Sequence, residues 1–399
     1  MTQKHIKNIP QQFYVGLMLL GFLLVPTFAH GASQQVAAWV PWWTEEAGAK
    51  SALKNINSLD IIYPFVYEVN LDGTLKNRVD FDDKHWRALF KKAERGRVAI
   101  IPTIAWFDGV AIHAVLSNDT ARAAHVKAIV KMVKKYDFNG VNIDYEAKKS
   151  ETKDHYSSFL KELSKALGSK DLTCTIEART PPDSRWREVP KVIEYANDYK
   201  AMNRYCDWVE IMAYDQQRAD LKLNDERRGV PYMPVADNEW VEKVIKLALK
   251  DIAADKIMLG VATYGRAWDI TVAPDWYRDY KRVASLNHPR ILELSKKYGA
   301  VIGRTEGGEA VLSYFPEDSV WKIFNQLPTP KGTPNGYEAA AKALLVATVA
   351  KVEIPVRFVT WSDAKAVEDK LELVKKYNLR GAAIFKVDGE EDPDIWKLF

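Results

Sequence analysis

Hydrophobic and polar positions along this chain fall into two alternating patterns. Short apolar runs of strand type recur at Val36–Val40, Ile61–Val69, Val98–Ile104, Gly140–Glu146, Leu172–Ile176, Trp208–Tyr214, Ile257–Thr263 and Ala382–Val387. Helical periodicity separates them, as at Thr120–Tyr136, Lys153–Leu167, Glu239–Ala253 and Ala364–Tyr377. Asn118 and Asp119 are candidate caps for the first of these helices. Eight strands alternating with helices predict an α/β fold, a closed TIM (β/α)8 barrel. The interval from about Asp269 to Asn378 is longer than a strand–helix connection needs. It predicts a small insertion between strands seven and eight. Pro289–Tyr298 and Tyr337–Ala350 read as helices, Ala310–Phe315 and Val356–Trp361 as strands.

The fourth run carries the most information. Val141, Ile143 and Tyr145 alternate with Asn142, Asp144 and Glu146. Such alternation marks a strand with two different faces, one apolar and one bearing an amide and two acids. Unpaired buried charge is costly, so an acidic inner face calls for a purpose or a polar barrel interior. Acids two residues apart on one face lie within ~7 Å of each other. They perturb each other's pKa, and a raised pKa lets a Glu donate a proton near neutral pH.

The N-terminus reads as a separate segment. Lys4 and Lys7 precede an apolar run over Phe13–Val25, Pro26 ends it, and the small residues Ala29, Gly31 and Ala32 follow. That layout predicts a secretory signal peptide over residues 1–32. Residues 33–399 would then work outside the cytoplasmic membrane, secreted or in the cell envelope. The run is short for a membrane span, although an uncleaved anchor is the other reading.

Composition narrows the classes further. Lys and Arg total 57 against 53 acids, without a polybasic block, so nucleic acid is not an expected partner. Thirteen Trp suit either a core or sugar-stacking platforms. Two cysteines, Cys174 and Cys206, do not make a disulfide framework, and two buried free thiols are expected. No metal-ligand spacing is present.

Four motifs, in order along the chain, carry a resemblance to glycoside hydrolase family 18, the chitinases and their relatives. Asn139-Gly140-Val141-Asn142-Ile143-Asp144-Tyr145-Glu146 resembles the family's Asp-Gly-x-Asp-x-Asp-x-Glu on strand four. Met212-Ala213-Tyr214-Asp215 resembles Met-x-Tyr-Asp on strand six. Leu259–Trp268 resembles Leu-Gly-x-Pro-x-Tyr-Gly-Arg-x-Trp on strand seven, with Ala262 in place of Pro. Trp361-Ser362-Asp363 and Leu379–Val387 resemble the closing helix and eighth strand. Pro64–Leu75 resembles the second-strand region of the bacterial group with spore-cortex and cell-wall lytic enzymes.

The resemblance implies a substrate-assisted retaining mechanism, an exception to the two-carboxylate scheme. Glu146 would be the acid, Asp144 would orient the substrate acetamide, and Tyr214 would donate to its oxygen. Sugar contacts would come from Asn142, Asp215, Met212, Tyr264, Arg266, Phe385, Tyr67 and Trp39. No metal or cofactor is implied, and the chain is expected to be a monomer. Its partner would be a polysaccharide of β-1,4-linked N-acetylglucosamine, either chitin or peptidoglycan. A carbohydrate-binding relative without turnover is the second class, and an anchored enzyme of wall remodelling a third.

Departures from the motif have expected consequences. Asn142 replaces an Asp, and its amide is expected to donate to Asp144 and favour the ionised acid. Asn139 is expected to affect the barrel interior. Phe385 stands where the family has a Trp under the sugar, so stacking would persist with less area. Glu177, near the end of strand five, reads as a sugar contact or a solvent-facing acid.

Overall fold

The computed structural model describes residues 34–399, and the expected leader lies outside them. Eight parallel strands close into a TIM barrel with helices between them. They are Gln35–Pro41, Ile61–Val69, Thr103–Trp106, Gly140–Tyr145, Asp171–Glu177, Trp208–Met212, Ile257–Ala262 and Gly381–Phe385. Each pairs with its neighbour in this order, and the first pairs with both the second and the eighth, which closes the ring. Strand three has a separate lead-in at Ala99–Ile100, interrupted before Thr103.

Two apolar layers follow from the period-two pattern. Val141, Ile143 and Tyr145 face outward into the core between barrel and helices. Tyr145 stacks on Phe159 at 5.6 Å, and its hydroxyl meets His125. The inner layer holds Trp39, Tyr63, Phe65, Ile101, Trp208 and Met258. Helix Lys153–Leu167 has the predicted bounds, and Asn118 caps the preceding helix by accepting from Ala121 N at 3.0 Å. Among the described residues, no helix is long and apolar enough to cross a membrane.

The insertion starts earlier than its sequence pattern indicates. Strand seven ends at Ala262, and Tyr264–Val272 already belongs to a five-stranded antiparallel sheet. The order in that sheet is Tyr277–Asn287, Tyr264–Val272, Ile354–Trp361, Ala310–Tyr314, Gly303–Arg304. The inserted sheet therefore runs over 264–361, beginning ahead of the interval 269–378 expected to include it, and the rest of that interval holds the closing helix Ala364–Lys376. Helix Glu338–Ala350 packs small residues, Ala340, Ala343 and Ala347, against Val311, Val356 and Phe358 of one sheet face. Helix His288–Tyr298 covers the other face with Ile291 and Leu294.

Cys174 and Cys206 are not free thiols but form a disulfide, with Cα atoms 6.2 Å apart. Cys174 points outward from strand five, and Cys206 ends the helix Tyr199–Tyr205 that leads into strand six. Adjacent strands bring the two together across 32 residues, a proximity that linear spacing does not display. Closing a loop of that length stabilises the fold by about 3–4 kcal/mol in the chain-entropy account.

Candidate active site

The C-terminal ends of the barrel strands open into a cleft of about 630 Å3. Strand four brings Asp144 and Glu146 to it, strand five Thr175, strand six Met212, Tyr214 and Asp215. Strands one and eight supply Trp39 and Phe385, and the insertion supplies Tyr264, Arg266, Ser285 and Asn287. Of the eleven residues expected at the site, nine line this cleft. Asn142 and Tyr67 do not.

Tyr67 is a correction. Tyr63 and Phe65 face the barrel interior, so strict alternation would send Tyr67 inward too. A register shift between Phe65 and Tyr67 breaks the alternation. Tyr67 consequently packs outward against Phe81 at 6.2 Å, and Glu68 turns to the cleft in its place. Arg78 donates to Glu68 at 2.8 Å and lies over the Trp42 ring at 4.8 Å.

Asn142 is the second correction. Its amide donates to Thr173 at 2.6 Å and Glu210 at 3.1 Å. Its oxygen accepts from Thr103 at 2.9 Å and Thr175 at 3.1 Å. These contacts use the amide without reaching Asp144, whose Oδ1 is buried with no hydrogen-bond partner among the described residues. Burial first, then the neighbouring Glu146, pushes the Asp144 pKa well above the ordinary carboxylate range. Asn142 does not hold it ionised. Asn139 sits at the N-terminal end of strand four, outside the interior, where it accepts from Ile100 N at 2.8 Å.

Glu146 is pushed up to about 7, by burial and then by Glu177, with Lys148 opposing. Such a group holds its proton close to neutral pH. Tyr214 lies beside the pair with its phenol pushed well above 10 by burial, so it stays a donor. Its ring stacks on Phe385 at 5.6 Å. Gly260 makes room for it: a Cβ there would stand 3.1 Å from Tyr214 Cε1 and 2.6 Å from Ile211 O. The Phe385–Lys386 peptide is cis. Trp39 meets the Phe385 ring edge-on at 5.8 Å and fixes its own indole by donating to Thr103 at 3.1 Å. Trp43 and Phe107, 46% and 54% exposed, put aromatic surface at the rim.

Asp215 adopts a left-handed backbone at φ 55°. Arg266 clamps its carboxylate with two bonds, at 2.8 Å and 2.6 Å, and the Tyr264 hydroxyl donates to it at 3.0 Å. The arrangement holds one carboxylate fixed in the cleft lining.

Three further residues carry weak sequence signals. Glu210 is a fully buried acid in strand six, raised to about 7 by burial against the hydrogen bond from Tyr63. Glu177 is neither a bare solvent acid nor part of the cleft wall, since it accepts from Ala147 N at 3.2 Å and Asn197 at 3.0 Å. The Lys148 side chain is buried, with its ammonium 4.0 Å from Glu177. A lone Lys in a loop gives no sign of that in the sequence. For metals, Glu45, Asp83 and His85 come within 4.8 Å of one another outside the cleft lining. Glu45 there already accepts from Trp86 at 2.9 Å, and the acids sit at the N-termini of two helices, where negative charge is favoured without a metal.

The model of the family described as Glycosyl hydrolases family 18 matches residues 39–390. Among curated proteins, the chain is 23% identical over 298 residues to the uncharacterized glycosylase YvbX of Bacillus subtilis, covering 73% of this chain and 69% of that one. It is 23% identical over 288 residues to a cortical fragment-lytic enzyme of the same organism, covering 71% of this chain. The match spans only about half of that relative, 54% of its length. A solved chitinase from Chromobacterium violaceum shares the fold with a TM-score of 0.66 and 20% identity, over 92% of this chain and 98% of the other.

Proposed function

Since the chain belongs to glycosyl hydrolases family 18, we propose that it is a retaining glycosidase of β-1,4-linked N-acetylglucosamine polymers, chitin or peptidoglycan, that uses the substrate's own acetamide as nucleophile. The observation that carries the reading is the Asp144–Glu146 pair raised by burial in an aromatic cleft beside Tyr214. A sugar ring rests on Phe385 and Trp39, which suit its apolar face. Glu146 gives its proton to the leaving glycosidic oxygen. The acetamide oxygen attacks the anomeric carbon and forms an oxazolinium ion, while Tyr214 donates to that oxygen. Asp144 accepts the acetamide N–H, and the positive charge growing on that nitrogen favours its carboxylate form. Glu146 then takes a proton from water, which opens the oxazolinium with overall retention. Asp215, held by Arg266 and Tyr264, fixes the sugar.

The disulfide supports placement outside the cytoplasm, secreted or in the envelope. The purified chain from Gln34 onward, incubated with chitin oligomers and with peptidoglycan, tests the reading through the masses of its products. Shortened N-acetylated products are expected. Tight binding without any product would replace the hydrolase by the non-catalytic carbohydrate-binding reading.

A further inference from the structure

The turn after strand four brings a buried cation close to Glu177 on the neighbouring strand. Ala147, at φ 54°, reverses the chain immediately after Glu146. Its N–H is pinned by Glu177 of strand five, and its carbonyl presses on Gly109, where a Cβ would lie 2.1 Å away. The Lys148 side chain that follows is only 1% exposed. Its ammonium lies 4.0 Å from Glu177 Oε2, 4.8 Å from the centre of the Tyr156 ring, and makes no hydrogen bond among the described residues. A buried ammonium in that state is costly unless fixed negative charge surrounds it.

The charges around it are unequal. Asp144 and Glu146 face it from strand four and Glu177 from strand five, with Tyr156 beneath on helix Lys153–Leu167. Glu210 bears on Asp144, and Asp215 on Glu146. The other nearby cations are committed elsewhere. Arg266 clamps Asp215, Lys386 pairs with Asp388, and Arg179 stacks on Tyr195 and Tyr199.

We propose that Lys148 is a positioning residue for the catalytic pair: its buried ammonium is the fixed positive charge that sets how many protons Asp144 and Glu146 hold between them. The inference rests on the hydrolase reading only for the roles of those acids. Burial pushes the Lys148 pKa down and the three acids oppose that shift. In return Lys148 draws both Asp144 and Glu146 down against burial and against their acidic neighbours.

The test compares wild type with Lys148→Met, which keeps length and loses charge, and Lys148→Arg, which keeps charge. Removing the cation raises the pKa of both acids. Both limbs of the kcat–pH profile therefore move to higher pH in Lys148→Met, by about 1 unit. Lys148→Arg stays near wild type. A merely structural role would lower kcat without moving the limbs. Carboxyl 13C titration of the three proteins, with signals assigned through Asp144→Asn and Glu146→Gln, reads the same shift without turnover. An inactive wild type thus fails the hydrolase reading and leaves the Lys148 test intact. Unmoved carboxyl titrations in Lys148→Met, or equal shifts in Lys148→Arg, overturn the proposal. If Lys148→Met does not fold, Lys148→Gln serves, since it also removes the charge and must move both titrations up. No movement, or movement downward, overturns it equally.

Discussion

Asn142 donates its amide to Glu210 across the barrel interior at 3.1 Å and gives nothing to Asp144, two residues further along the same face. Position 142 therefore belongs to a buried network under the site, with Thr103, Thr173, Thr175 and Tyr63. Asn142→Asp would remove the donor to Glu210 and place a second carboxylate against it. The expected result is a loss of stability that grows with pH, by roughly 1–3 kcal/mol between pH 5 and 8 beyond the wild-type change. Denaturant midpoints at the two pH values check it. Equal midpoint changes in both proteins would remove Glu210 as the partner that matters.

The wild type should itself lose stability as pH rises. Glu210 and Glu309 are fully buried, and burial pushes both up to about 7. Unfolded, each titrates near 4.3. Between those values the unfolded chain releases protons that the folded chain keeps, so stability falls from about pH 4.3 to 7, on the order of 3 kcal/mol per group. Glu242 works oppositely, held down to about 2 by Lys376 and Tyr377, but its contribution is complete once pH exceeds the unfolded value. A midpoint that stays level from pH 5 to 8 contradicts the assignment.

Glu146→Gln should reduce turnover by ~10²-fold or more while sugar binding and thermal midpoint stay close to wild type. In the wild type, kcat should decline above about pH 7, where Glu146 loses its proton. Turnover of the variant within a few-fold of wild type would mean another group protonates the leaving oxygen.

Fully deacetylated chitosan should be inert, because the nucleophile is missing from the substrate. Incubation followed by mass analysis decides it. Efficient cleavage would demand a nucleophile from the protein.

Replacing both Cys174 and Cys206 by Ser should cost about 3–4 kcal/mol. Strands five and six stay packed, so the double variant is expected to fold with a lower denaturant midpoint and an unchanged KM. An unchanged midpoint would show that the bond is not formed in the purified protein.

The barrel, its strand order and the residues at strand ends were legible because period-two alternation and motif spacing are local signals. Strand four shows this best, with Asp144 and Glu146 inward and Tyr145 outward as read. Tyr67 was not legible. One extra residue at the bulge sends it outward and brings in Glu68, and a bulge leaves no compositional trace. The disulfide, the Asn142–Glu210 contact and the burial of Lys148 are products of neighbouring strands meeting. Each joins residues whose separation in sequence says nothing of their distance. The early start of the insertion was masked by Tyr264–Trp268, which continues the apolar run of strand seven while already pairing in another sheet.

That double allegiance has a practical side. Tyr264 and Arg266 hold Asp215 with their side chains while their backbones form the first strand of the inserted sheet, between Tyr277–Asn287 and Ile354–Trp361. The sheet is thus no detachable module. A protein engineer who trims it to a short linker removes the clamp on Asp215 along with the cleft wall, and a graft from another barrel must reproduce the register of residues 264–266 before any new loop can be useful.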